Sequence, residues 1–208
     1  MVKVCPGMSI DDTSYAEAKT CTSITGDLTI DASFSGPVSL PKLTFVGGMI
    51  KVVGQLKVTA LDVPMLKEVA NNLMLVGNTQ LVSVSLPELA TLGANVKVHT
   101  NSKLTDLDLS RLGTVQGFFW VENNSLKTLA LLALSKTGRY FNVRANLELA
   151  SLKCPALETV AGNFAVLENT GLVCVDFPVL DTVVAFGGVE TNGDELCDSF
   201  DCLPSLAC

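Results

Sequence analysis

Apolar residues alternate with polar ones in short runs that return about every 23 residues: Ile50-x-Val52, Leu73-x-Leu75, Val96-x-Val98, Phe119-x-Val121, Phe141-x-Val143 and Phe164-x-Val166. A period of two marks a strand with one buried face. A second short apolar run follows each, as in Leu81, Val84, Leu86 and Leu104, Leu107, Leu109. Proline then stands at one repeat position (Pro41, Pro64, Pro87, Pro155, Pro178). It breaks the strand there, because it lacks the ladder N–H, and the chain turns. No segment keeps the i, i+3, i+4, i+7 stripe of a helix. Strands this short form no sheet alone, whereas stacked coils give each strand partners above and below. The prediction is an all-β parallel β-helix of about seven to eight 23-residue coils, each rising by about 4.8 Å.

Aligned on their leucines, the coils are residues 20–43, 44–66, 67–89, 90–112, 113–134, 135–157 and 158–180, with an incomplete coil from 181 to about 196. The most regular position is an asparagine. Asn78, Asn101, Asn124, Asn146, Asn169 and Asn192 recur at spacings of 23, 23, 22, 23 and 23, each three residues after an apolar residue. An Asn inside the same bend of every coil satisfies backbone groups that the bend leaves unpaired. The reading is a structural ladder, since a ligand site rarely needs one residue type in six successive coils.

Residues 1–19 do not fit the repeat. Ser9, Asp11 and Asp12 followed by helix formers predict a short amphipathic capping helix, covering the apolar cross-section and strand edges that a solenoid exposes at its end. Six of the seven cysteines sit toward the two ends: Cys5 and Cys21, then Cys174, Cys197, Cys202 and Cys208. Cys5 with Cys21 would close the cap onto the first coil. Cys174 and Cys197, one repeat apart, would stack within disulfide reach, and Cys202 and Cys208 would close a C-terminal cap. Cys154 replaces a core leucine and reads as a buried free thiol. One domain is expected over 1–208, made of an N-terminal cap (1–19), repeats (20–196) and a C-terminal cap (197–208).

Composition narrows the function classes. The chain is 48% hydrophobic and 17% charged, which excludes disorder and requires a long core; aromatics are only 6%, so that core is expected to be aliphatic. Net charge is -7 with no Lys/Arg cluster, which argues against nucleic acid. No run of 18 apolar residues suggests membrane insertion. End-stapling by disulfides suits an oxidising, extracellular or cell-surface location, with any secretion signal removed or replaced ahead of Met1.

Two stretches carry a family resemblance. Cys21-Thr-Ser-Ile24-Thr-Gly26-Asp27-Leu28-Thr-Ile30 resembles the opening of receptor L-domains. The repeated N-x-x-L-x-x-L-x-L-P-x-L-x-x-V-x-G, as in Asn78 to Gly93, is similar to fungal cell-surface repeat proteins of the Ecm33-Sps2 type. The resemblance covers about residues 20–196. It implies a right-handed β-helix with capped ends, outside the cell, serving recognition, adhesion or surface organisation without catalysis.

Enzymatic chemistry finds little support. His99 is the only histidine and falls on an outward, solvated strand position. Cys197-x4-Cys202-x5-Cys208 lacks the paired spacing of zinc modules. The nearest acidic stack, Asp62, Ser85 and Asp108, has serine at its centre where sugar cleavage needs clustered acids. Neither a cofactor nor a metal is expected. Nor do the outward columns carry the ranks of threonine that ice binding wants. One column reads Lys51, Met74, Lys97, Trp120, Asn142, Ala165, Gly188. Its neighbour reads Val53, Val76, His99, Glu122, Arg144, Leu167, Glu190. The third holds Met49, Asn72, Asn95, Phe118, Tyr140, Asn163, Phe186. Phe118, Trp120 and Tyr140 thus gather outside, flanked by Met74, Lys97, Glu122 and Arg144, as an expected patch for a protein or glycan partner, or for copies of the chain itself. Asn123-Asn124-Ser125 is the only N-glycosylation sequon; counting assigns Asn124 to the ladder and leaves Asn123 outside to carry a glycan.

Overall fold

The computed structural model describes residues 2–190 and is a parallel β-solenoid of about eight turns. A full coil contributes three strands. The first is two residues long, as in Glu68–Val69, Thr91–Leu92 and Thr114–Val115. The second is the main strand, four residues long in Ile50–Val53, Leu73–Val76, Val96–His99, Phe119–Glu122 and Phe141–Arg144. The third holds segments such as Val58–Asp62, Ser83–Ser85 and Asp106–Asp108. The first two stacks merge into one sheet at Thr159–Leu167, a nine-residue strand that runs through both positions.

The turns are where the sequence placed them. Beyond the third strand, Leu66 N–H bonds Val63 C=O at 3.2 Å and Leu89 N–H bonds Leu86 C=O at 3.1 Å, closing four-residue turns with Pro64 and Pro87 at their second position. That site accepts proline because its φ is already near the required value. Beyond the main strand, Leu104 N–H to Asn101 C=O (3.0 Å) and Leu172 N–H to Asn169 C=O (2.8 Å) make the second corner.

The third stack is broken. Gly36–Ser39, Val58–Asp62, Ser83–Ser85 and Asp106–Asp108 form one sheet, and Thr128–Ala130, Ser151–Lys153 and Cys174–Asp176 another. The break falls in the coil that is one residue short between Asn124 and Leu126. That coil lacks the residue needed for its second corner, so Thr128–Ala130 does not pair with Asp106–Asp108. Its core positions nonetheless stay in step: Leu126, Leu129, Leu131 and Leu134 are as buried as Leu104, Leu107, Leu109 and Leu112.

The core is largely aliphatic, as expected, but its C-terminal part departs from that. Phe119, Phe141 and Phe164 stack inside the coil at centroid distances of 5.3 and 5.4 Å, with Phe177 edge-on at 5.1 Å from Phe164. Parallel in-register strands bring identical residues into offset stacking, a geometry that aromatic rings favour. Cys154 is fully buried and a free thiol, and burial holds it well above the usual thiol range.

At the N-terminus the expected cap proves to be partly a coil. Val4–Cys5 pairs with Ser23–Ile24, and Met8–Ile10 pairs with Leu28–Ile30, so Ser9 is a strand residue. The helix is a single turn, Tyr15–Ala18. Asp11 starts it, accepting from Thr13 N–H and Ser14 N–H at 2.9 and 2.7 Å. Cys5 and Cys21 form the expected disulfide, with Cα atoms 5.9 Å apart. Asn192, Cys197, Cys202 and Cys208 lie outside the described residues, and with them the C-terminal pairings.

Candidate recognition face

The asparagine ladder fixes one edge of the main sheet. Asn78 Nδ2 donates to Val52 C=O in the coil before (2.8 Å) and to Asn101 Oδ1 in the coil after (2.9 Å), while Asn78 N–H also reaches Asn101 Oδ1 (3.0 Å). Asn101, Asn124 and Asn146 repeat this arrangement, and Asn169 Nδ2 reaches Val143 C=O at 2.9 Å. The five are almost wholly buried. A first rung escapes the sequence pattern: Gln55, one repeat before Asn78, donates from Nε2 to Ile30 C=O at 2.9 Å. Its extra methylene lets it reach where no ladder residue precedes it.

The residue before each rung sits in the left-handed region. Gly54 and Gly77 do so without strain, but Thr100, Asn123, Ala145 and Glu168 adopt φ of 57°, 59°, 51° and 57°. The ladder imposes this conformation on Thr100, Ala145 and Glu168, whose side chains resist it, while Asn123 adopts it more readily. Asn123 is accordingly exposed and outside the ladder, where the sequon count put it, while Asn124 is 5% exposed.

A second ladder, running the opposite way, marks the start of the main strands. Asp27 Oδ1 accepts from Met49 N–H (2.8 Å), Asn72 Oδ1 from Asn95 N–H (3.1 Å) and Asn95 Oδ1 from Phe118 N–H (2.9 Å). The column assigned to the outside therefore serves partly as structure. At Asn95 its signal is a glycine one coil later: a Cβ on Gly117 would lie 2.0 Å from Asn95 Oδ1.

Pinned at both ends, the main strands hold their outward residues in register. Lys51, Met74, Lys97, Trp120, Asn142, Ala165 and Gly188 are successive partners, as are Val53, Val76, His99, Glu122, Arg144, Leu167 and Glu190. One member of the third column is misplaced in the sequence alignment. Phe186 pairs with Phe164, and Ala185 takes the place opposite Asn163, because irregularities shift the register of the last strand pair.

Phe118, Trp120 and Tyr140 come together as expected. Phe118 and Tyr140 stack at 4.7 Å, and Trp120 meets them edge-on at 6.2 and 6.4 Å. Lys97 Nζ lies 4.7 Å from the centre of the Trp120 ring, within cation–π range, and Trp120 Nε1 donates to Glu122 Oε2 at 2.6 Å. His99 is not the solvated residue expected: its side chain is 29% exposed, edge-on to Trp120 at 5.6 Å and 3.8 Å from Glu122 Oε2. Arg144 is engaged by Glu168 through two bonds of 2.6 and 3.1 Å, which hold the Glu168 carboxyl below its usual range. Met74 lies one rung beyond Lys97. Beside Trp120, on the side of Asn142, opens a cleft of about 260 Å³ lined by Trp120, Tyr140, Phe141, Asn142 and Asn163. Burial raises the pKa of Tyr140, against the opposing charge of Arg139.

A scan against protein-family models finds no match, and searches of curated proteins and of solved structures find none.

Proposed function

We propose that this protein is a non-catalytic recognition or adhesion module that presents the Trp120 face to a protein or glycan partner at a cell surface. The observation that carries the reading is the clustering of the only tryptophan with Phe118 and Tyr140 on a face whose other coils bear unrelated residues. Aromatic side chains supply large contact area at small entropic cost, and they anchor binding surfaces for that reason. The Cys5–Cys21 disulfide suits an oxidising location. The resemblance of Cys21 to Ile30 to receptor L-domains points the same way, toward recognition rather than catalysis.

The test is attachment of the purified protein to intact cells of the organism that encodes it. Wild type should be retained, and Trp120→Ala should be lost while the variant stays folded. Equal attachment of the two proteins would overturn the reading, and so would concentration-dependent self-association that buries Trp120 without any cell attachment.

A further inference from the structure

The outward column of the main sheet drops abruptly in size after Trp120, through Asn142 to Ala165 and Gly188. The indole therefore stands as a wall at one end of the cleft, with Tyr140 and Asn163 along its side. Lys97 occupies the opposite side of Trp120 as its register partner in the preceding coil, and the bond to Glu122 fixes the ring's direction. Asn142 lines the cleft, and its Oδ1 is shut off from solvent with no hydrogen-bond partner. A buried carbonyl oxygen left without a donor is costly. Asn142 as a whole is only half-buried and lines the cleft, so a turn of its side-chain amide would present this oxygen to a bound ligand. No charged side chain lines the cleft among the described residues.

We infer that this cleft binds one ring of a neutral saccharide, stacked on Trp120 with Tyr140 at its edge and a hydroxyl donated to Asn142 Oδ1. The inference rests on the recognition reading above and names its ligand. A pyranose whose substituents are all equatorial turns a flat face of C–H groups toward an aromatic wall and a rim of hydroxyls toward polar atoms. The cleft offers that pair of surfaces together. Its volume lies near the lower end of ligand sites, ~300 Å³, which suits a single ring with the rest of the chain outside. An acidic sugar would find no cation in the lining, since Lys97 is on the far side of the indole and Arg144 is held by Glu168. An axial hydroxyl obstructs one face of the ring, so gluco-configured β-linked units, which can stack through either face, fit better than galacto- or manno-configured ones, which keep a single flat face.

Because Trp120 is the only tryptophan, its emission reports the site directly. Titration with β-1,4-linked glucose oligomers of two to six units should shift that emission saturably. Glucuronate oligomers should act at least about tenfold more weakly, and galactose- and mannose-based oligomers measurably more weakly than the glucose series. Asn142→Leu, which fills similar volume without an acceptor, should weaken the response about tenfold with a melting midpoint at or above that of wild type, since the orphan oxygen is gone. Trp120→Ala, followed by calorimetry, should abolish binding.

Equal affinity in Asn142→Leu would overturn the role of the orphan carbonyl. If no neutral saccharide shifts the emission while Trp120→Ala still abolishes attachment to cells, the partner is of another class, a protein foremost; the saccharide inference falls and the recognition reading stands. If the emission is silent and attachment is indifferent to Trp120, both fall.

Discussion

At the edge of the main sheet, five successive coils place the same asparagine in the same bend, each almost fully buried, and the first four are bonded to the coils on both sides. A few residues away, on the outer face of the same strands, Lys51, Met74, Lys97, Trp120, Asn142 and Ala165 share a column but not one side-chain chemistry. Uniformity reflects a demand that every coil makes alike, namely satisfying the backbone at a corner. Variety marks positions that folding leaves free, and there a cluster such as Phe118, Trp120 and Tyr140 is informative.

The comparison breaks most sharply at a ladder residue. Asn124→Leu removes the acceptor of Asn101 and leaves Val98 C=O and Glu122 C=O without their amide donor. It should lower stability by about 3 kcal/mol, visible as a fall in denaturation midpoint, because each unsatisfied buried group costs roughly 1–3 kcal/mol. An unchanged midpoint would show that the ladder is dispensable. Gly117→Ala tests the second ladder: a methyl group on Asn95 Oδ1 and on Ala94 C=O should cost roughly 1–3 kcal/mol through overpacking. On the face, Trp120→Ala should cost about 1–2 kcal/mol, through lost ring contacts with Phe118, Tyr140 and Lys97 and the lost bond to the part-buried Glu122.

Thr100→Gly should move stability the other way, by a few tenths of a kcal/mol up to about 1, as a residue forced into the left-handed region is replaced by one that adopts it freely. A lower midpoint for that variant would mean that the Thr100 side chain contributes more than its backbone costs. Acid gives the smallest effect and separates the two regions again. Glu168 has its pKa lowered by Arg144, so its contribution is complete above the unfolded carboxylate value of about 4.3 and is lost as pH falls through the lower folded value. The thermal midpoint should therefore be flat from pH 7 to 5 with respect to this pair and decline below about pH 4, and Glu168→Gln should remove that part of the decline. The amide ladder has nothing to titrate.

How much of this was legible in the sequence follows from the same contrast. The coil period, the proline corners and the asparagine ladder could be read because they repeat, and repetition survives without coordinates. Gln55 was missed because it does the ladder's work with a different side chain. The left-handed column was hidden because only Gly54 and Gly77 announce it, whereas Thr100, Ala145 and Glu168 are held there by their neighbours. Asn72 and Asn95 looked like surface residues because nothing in their spacing reveals a bond to the next coil's backbone; only the glycine at 117 hints at it. The aromatic cluster was recovered because parallel register carries a column from coil to coil, and Phe186 was misassigned where that register slips. The cleft and the orphan oxygen of Asn142 depend on side-chain sizes in three dimensions, which no count of positions supplies.

The missing residue between Asn124 and Leu126 shows how such a chain handles a miscount. The loss is local: the third stack parts at that coil, yet the next asparagine, the next leucines and the next main strand resume their places as though nothing had been dropped. Each corner is anchored by its own bonds rather than by the corner before it, so an error in length stops where it arises. A coil built this way can be trimmed, lengthened or given a new outer residue at one corner while the rest of the rod keeps time.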